Sequence, residues 1–136
     1  MRILNILSLL IYVNCTFSVS GQTYSIVNKT NHDQNHFGWD ISGYKNFCCI
    51  SDPRDSISDY GNGSIHVYYK DKEEWKFAQN ITKPVRTPYE LFGYKTAMYG
   101  DILAVSSVGN DKMGFMSGSV SIYRKTYGSG SCCIFS

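Results

Sequence analysis

A block of sequence recurs once along the chain, after 55 residues and without a gap. Segment 37–70 can be laid over segment 92–125, and 8 of the 34 paired positions are identical. Chance would give about two identities at average residue frequencies. The identical pairs are Phe37/Phe92, Gly38/Gly93, Tyr44/Tyr99, Ser51/Ser106, Gly63/Gly118, Ser64/Ser119, Tyr68/Tyr123 and Lys70/Lys125. A duplication at this period indicates stacked structural units, which favours a binding scaffold over an enzyme.

The first half of each repeat predicts two short strands. A first strand over Phe37–Gly43 is followed by the turn Lys45-Asn46, where the second repeat has Gly100-Asp101, a tight-turn pair. The next segments, Phe47–Ile50 and Ile102–Val105, are continuously apolar. Such runs predict strands that are buried on both faces, as when sheets pack face to face.

The second half of each repeat predicts two further strands. A glycine opens the third strand, where a positive φ is needed, and apolar residues then alternate with polar ones. The glycines are Gly63 and Gly118, and the apolar residues are Ile65, Val67, Val120 and Ile122. Segment 75–81 predicts a fourth strand, whose charges suit a sheet edge. Four antiparallel strands in about 55 residues match the size of one propeller blade.

The predicted fold is therefore all-β, with two four-stranded antiparallel blades of a partial β-propeller. Blade 1 covers 37–81, a proline-containing linker covers 82–91, and an incomplete blade 2 covers 92–125. Trp75 has no counterpart at position 130, so blade 2 is expected to lack its outer strand. An N-terminal strand at Tyr24–Val27, within the strand-and-loop segment 21–36, is expected to complete it, from the same chain or from a neighbouring copy. The cysteine-containing tail, 126–136, falls outside the repeat pattern.

The order of these motifs resembles FG-GAP repeats, the blade units of integrin α-subunit-like β-propellers. Phe37-Gly38 and Phe92-Gly93 stand where that family has its FG pair, and Gly63 and Gly118 open the strand that ends the motif. The resemblance implies a propeller fold, extracellular placement and binding of proteins or surface ligands. Blades of the family often carry a calcium loop between the first two strands. Here that turn offers too few oxygens for the roughly six to eight that calcium takes, so the repeats resemble the short, calcium-free variety.

The first 20 residues indicate a secretory signal peptide. Met1-Arg2 is a positive start, Ile3–Val13 is largely apolar, and Ser18–Ser20 offers small residues for cleavage. An apolar stretch of 11 residues is too short for a bilayer, which needs about 20, so no membrane span is expected. Three glycosylation sequons begin at Asn28, Asn62 and Asn80, which favours a secreted, extracellular glycoprotein. Asn62 lies in a glycine-rich turn and is expected to be more accessible than Asn80.

Four cysteines follow the leader as two adjacent pairs, Cys48-Cys49 and Cys132-Cys133, and allow three disulfide pairings. One interpretation links the two pairs in an oxidising compartment. The other treats Cys48 and Cys49 as small buried apolar side chains. The last four residues, from Cys133, also fit a prenylation box, which a secreted chain would not expose to the cytosolic enzymes.

Residues that suggest chemistry each have a structural alternative. His32 and His36 lie in a polar loop, and His66 alternates with apolar residues on a strand. Three loop carboxylates could offer oxygens to a cation, but the second repeat lacks them. They are Asp52, Asp55 and Asp59, replaced by Ser107, Asn110 and Gly114. Because the chain also lacks a nucleophile elbow and a phosphate-binding loop, the sequence predicts no catalytic residues, no metal and no cofactor.

The predicted function is that of a secreted, non-enzymatic binding or adhesion-type module. Its partner is expected to be a protein or a cell-surface ligand, with self-association or another blade-bearing chain as further options. An aromatic patch of Tyr60, Tyr69 and Phe115 is a candidate recognition surface. The net charge of +2 is spread along the chain, so no nucleic acid is expected. The alternative is a truncated or degenerate fragment of a larger integrin-α-like propeller protein, without independent activity.

Overall fold

The fold is all-β in the computed structural model of the chain, which describes residues 24–27, 36–55, 61–85, 88–127 and 133–136. Across these ranges there is no helix, and hence none long and apolar enough to cross a membrane. The predicted signal peptide, Asn28, His32, Asp59 and Tyr60 lie outside the described residues. Eight strands form two antiparallel sheets, so the predicted fold class is confirmed at this level.

The first sheet is a meander built from the first repeat. Its strands are β1 (Ile41–Tyr44), β2 (Phe47–Asp52), β3 (Ser64–Asp71) and β4 (Glu74–Ile81), paired in that order. β1 begins four residues later than predicted, because Phe37 and Gly38 form a turn. In that turn Gly38 has a φ of 89° and donates its N–H to the Ser51 carbonyl at 3.0 Å. The strand-opening Gly63 has a φ of 85°, as predicted for this position.

The second sheet repeats this order. Three strands form its main part, β5 (Phe92–Tyr99), β6 (Ile102–Ser107) and β7 (Ser119–Tyr127), and Gly118, which opens β7, has a φ of 73°. A short strand, β8 (Cys133–Phe135), pairs with the far end of β7, and Phe135 lies opposite Lys125. The sheets do not close into a ring.

The prediction that an N-terminal strand of the same chain completes the second sheet is wrong, while completion by a neighbouring copy stays a prediction. Residues 24–27 form no strand, and the Tyr24 hydroxyl donates to Glu73 of the first sheet at 3.0 Å. The position beside β7 is taken by the tail, which sequence analysis placed outside the pattern. Phe135 faces Lys125 as Trp75 faces Lys70. The counterpart of Trp75 escaped detection because the tail reaches it five residues later than the repeat period requires.

The main core lies where one face of the first sheet packs on one face of the second. Its fully buried members include Cys49, Ile65 and Val67 on one side and Leu103 and Val105 on the other. β2 is buried on both faces, as predicted. The same expectation is wrong for β6, where only alternate residues are buried, because its second face lacks, within the described ranges, a cover such as the aromatic rings on the outer face of β2.

Candidate functional site

The contact between the two sheets joins equivalent positions of the two repeats. The Trp39 and Tyr94 rings, 55 residues apart in sequence, lie 5.6 Å apart between centroids. Five residues further along both segments, the Tyr44 and Tyr99 rings meet edge to face at 5.0 Å. Each of these aromatic residues thus contacts its own counterpart in the next repeat. The second sheet is therefore placed on the first by a shift of one repeat.

Asp40 holds the middle of this contact. Its carboxylate accepts hydrogen bonds from the Thr96 amide at 2.7 Å, from the Thr96 hydroxyl at 3.0 Å and from the Lys95 ammonium at 3.0 Å. Burial alone would raise the pKa of Asp40, but these hydrogen bonds outweigh it and lower the pKa below its usual value. Asp40 and Lys95 occupy equivalent repeat positions with opposite charges. The sequence shows this difference in charge, but only the packing of the sheets shows that the two residues contact each other.

Two glycines allow the sheets to approach closely. A Cβ added to Gly63 would overlap the Phe92 carbonyl oxygen and lie 2.8 Å from the Phe92 nitrogen. A Cβ added to Gly93 would lie 2.9 Å from the Ile65 side chain. Their repeat equivalents are free of such contacts, since Gly38 has no atom within 4 Å and Gly118 none closer than 3.5 Å. The difference arises because Gly63 and Gly93 lie between the sheets, whereas Gly38 and Gly118 lie on outward faces.

The outward side of the second sheet, here called the open face, is exposed and carries apolar side chains beside the charged Arg124. On β7 it carries Val120, 64% exposed, and Ile122, 61% exposed. Their equivalents in the first sheet, Ile65 and Val67, are 0% exposed, because the second sheet covers them. Tyr99 also borders the open face and is exposed. The second repeat therefore presents to solvent the side chains that the first repeat buries beneath a neighbouring sheet.

The outward side of the first sheet, here called the free face, is partly covered by aromatic rings. Phe37 meets the His66 ring edge to face at 5.1 Å, and Phe77 lies 5.7 Å from the Tyr68 ring. Cys48, Ile50 and His66 are buried beneath them, while Ile41 and Phe77 are exposed.

A buried polar cluster lies at one end of the free face. Ser64 donates its hydroxyl to Asp55 at 2.6 Å, and the His66 Nε2 lies 3.1 Å from the same hydroxyl. Burial lowers the pKa of His66, against the effect of the two aspartates, and raises the pKa of Asp52. The Ser64 hydroxyl thus joins Asp55 and His66 in one buried hydrogen-bonded cluster.

The corresponding region of the second sheet is built from different residues. Glu90 is buried there and accepts hydrogen bonds from Lys83 and Asn110, and Lys83 also donates to Ser119 at 3.2 Å. Within the described ranges, no group of three or more His, Cys, Asp or Glu side chains is arranged to hold a metal. Asp52 and Asp55 thus belong to a loop-anchoring cluster, and His36 stacks on Trp39 at 5.5 Å.

The predicted order of sequon accessibility is reversed. Asn62 is half-buried, and its carbonyl accepts the Phe92 N–H at 3.1 Å in the contact between the sheets. Asn80 is exposed near the end of β4, opposite His66. The glycine-rich turn at Asn62 suggested an open loop, but Gly63 is glycine because another strand approaches it.

The cysteines of the first sheet carry free thiols. Cys48 and Cys49 are buried in the inner strand β2, and the Cys49 sulfur lies 3.0 Å from the Ser42 hydroxyl. Burial, with a contribution from Cys49, raises the pKa of Cys48 to about 11. A link from this pair to the tail stays a prediction, and β8 places the backbone of Cys133 at the outer edge of the other sheet. Cys132 and the side chain of Cys133 lie outside the described residues.

The aromatic patch is described only in part. Phe115 is exposed in the loop before β7, together with Met113 and Met116, and Tyr69 is half-buried on β3. Phe135, within the tail that fits a prenylation box, is buried, and its backbone is hydrogen-bonded on both sides by the Gln79 side chain, at 2.9 and 3.0 Å.

Comparison of the chain with protein-family models, with curated proteins and with solved structures finds no match.

Proposed function

We propose that the chain is a secreted, non-enzymatic protein-binding module whose two sheets act as FG-GAP-like blades and which binds its partner through the open face. The observation that carries this proposal is the contrast between Ile65 and Val67, fully buried, and their equivalents Val120 and Ile122, more than half exposed. Exposed apolar surface that is continuous over a sheet is typical of interaction sites.

The chemistry of the open face favours a protein over a small ligand. The exposed apolar side chains Val120 and Ile122 lie on the face of a sheet, whereas small ligands bind in concave pockets with convergent polar groups. Tyr99 at the border is of the kind enriched in protein interfaces. A flat apolar face with an aromatic border therefore suits another folded surface, such as the face of a further sheet.

The test is binding of the monomeric, fluorescently labelled protein, isolated by size-exclusion chromatography so that its open face is accessible, to cultured cells. Saturable binding that protease treatment of the cells abolishes is the expected result for the wild type. Val120→Asp places a charge on the open face, and we expect it to weaken binding by about 100-fold or more, because an unpaired carboxylate is costly to bury.

Val85→Asp is the matched control. Val85 is as large as Val120 and comparably exposed, at 70%, but it lies in the connection between the sheets. We expect this variant to bind as the wild type does. Binding that does not saturate, or that both variants keep, would contradict the proposal. Absence of binding by the wild type would favour the alternative of a fragment without independent activity.

A further inference from the structure

We infer that the partner of the open face is the free face of a second copy of this chain, so that copies join head to tail. This inference rests on the proposed function, because it identifies the partner of the same face. It follows from the way in which the two repeats already pack on each other within one chain.

The intrachain step places two aromatic residues and one charged residue of the first repeat on their repeat equivalents, and this makes the step repeatable. Tyr94 lies on Trp39, and Tyr99 lies on Tyr44. When the same step places a second copy on the open face, Tyr94 meets the Trp39 of that copy and Tyr99 meets its Tyr44. The contact between copies thus pairs the same residue types as the contact within the chain, with the first and second repeats exchanged. The two faces therefore need no pairing of side chains that the chain does not already make.

The charges follow the same rule. Within the chain, the Asp40 carboxylate accepts from the Lys95 ammonium at 3.0 Å. One further step places Lys95, which is exposed, opposite the Asp40 of the second copy. Opposite charges thus face each other at the new contact, whereas two identical repeats would oppose like charges at this position.

The glycines support the same arrangement. Gly63 and Gly93 are needed where the sheets of one chain approach each other, as a Cβ at either position would crowd the neighbouring sheet. Gly118 and Gly38 are their equivalents on the open and free faces, and a Cβ at either position would not crowd the other sheet of the chain. In the head-to-tail contact they become the approach points, with Gly118 beside the Phe37 backbone of the second copy.

A head-to-tail interface adds copies until it closes or continues as a filament. Propellers have about four to eight blades. Because each chain supplies two sheets, closure gives an oligomer of about two to four copies.

The experiment uses two variants that each block one face. Ile122→Asp places a carboxylate on the open face. Ile41→Lys changes a residue of the free face that is 65% exposed, and it places a second positive charge opposite Lys95 of the neighbouring copy. Both side chains are exposed in the single chain, and circular dichroism establishes that each variant folds. Masses are measured by sedimentation velocity and native mass spectrometry. The protein is first deglycosylated enzymatically, because a glycan on Asn80, which lies opposite His66, would stand near the free face.

The expected results distinguish head-to-tail contact from other arrangements. The wild type forms a closed oligomer, and each variant alone is monomeric, with association weakened by about 100-fold or more. An equimolar mixture of the two variants forms a dimer, because one intact open face meets one intact free face. Val85→Asp associates as the wild type does.

Two outcomes would overturn the inference. The first is a wild-type protein that is still monomeric at about 100 times the concentration used to compare the variants. The other is a dimer formed by Ile41→Lys alone, together with no mixed dimer of the two variants, which would indicate that two open faces pair with each other. If the wild type is monomeric but Val120→Asp still abolishes binding to cells, the head-to-tail inference fails while the proposed function stands.

Discussion

Replacing Gly63 or Gly118 by alanine tests the packing of the two sheets with a pair of matched substitutions. The two glycines occupy equivalent repeat positions, and their φ values are 85° and 73°. Alanine is strained at both positions by about 1–2 kcal/mol, because its Cβ disfavours positive φ. This contribution is nearly equal in the two variants and cancels in their difference.

The remaining difference comes from the neighbouring sheet. Alanine at 63 would overlap the backbone of Phe92, which belongs to the second sheet, whereas alanine at 118 meets only its own sheet at ordinary contact distances. Moving Phe92 away weakens the hydrogen bond from its N–H to the Asn62 carbonyl, which contributes about 1 kcal/mol. The displaced packing costs about 1–3 kcal/mol more. Gly63→Ala should therefore reduce the free energy of unfolding by roughly 2–4 kcal/mol more than Gly118→Ala does.

The measurement is urea unfolding followed by the fluorescence of Trp39 and Trp75. Both substitutions are made in the Ile122→Asp background, so that self-association does not contribute to the free energy. If the two variants are destabilised equally, within about 0.5 kcal/mol, the close contact between Gly63 and Phe92 is refuted, and with it the packing of the sheets described above.

Three further predictions concern single side chains. Because the pKa of Asp40 is lowered in the folded chain, its contribution to stability is present above the pKa of the unfolded chain and is lost as the pH falls through the folded pKa. Asp40→Asn should cost about 1 kcal/mol at pH 7 and less at about pH 3, as measured by urea unfolding at both pH values. An unchanged difference at both would contradict the assignment. Phe135→Ala removes a buried ring from the core and should cost about 3–5 kcal/mol by the same assay, and a value near zero would mean that β8 does not pack there. Since the pKa of Cys48 is raised to about 11, its alkylation by iodoacetamide at pH 8 should be about 100-fold slower in the folded chain than after denaturation, and mass spectrometry of the alkylated peptides showing equal rates would refute its burial.

Sequence analysis predicts the arrangement within each sheet well, because it depends on local signals. The alternation in β3 and β7, the turns after β1 and β5 and the glycines before β3 and β7 all follow from residue type and spacing. The 55-residue repeat then predicts that the two sheets have the same strand order.

Features that depend on contacts between the sheets are predicted less well. Asn62 lies in a glycine-rich segment that indicates an open loop, yet the approach of Phe92 half-buries it. β6 has the same apolar pattern as β2, but a strand is buried on both faces only when other side chains cover each face. The sequence pattern does not show whether such a cover is present. The outer strand β8 was missed because its turn is longer than that of the first repeat.

The candidate binding surface illustrates the same limit. Val120 and Ile122 are apolar residues of an alternating strand, and the pattern assigns them to a buried face. Only the placement of the sheets shows that Ile65 and Val67 are covered while Val120 and Ile122 are not.

The opposite charges of Asp40 and Lys95 also restrict the parity of any ring built by this step. Around such a ring, acidic and basic side chains would alternate from sheet to sheet, and an alternating sequence can close without a mismatch only when the number of sheets is even. An odd ring would bring two aspartates or two lysines together at one seam. The charge difference between Asp40 and Lys95 therefore means that a ring can grow only by two repeats at a time, and never by a single repeat.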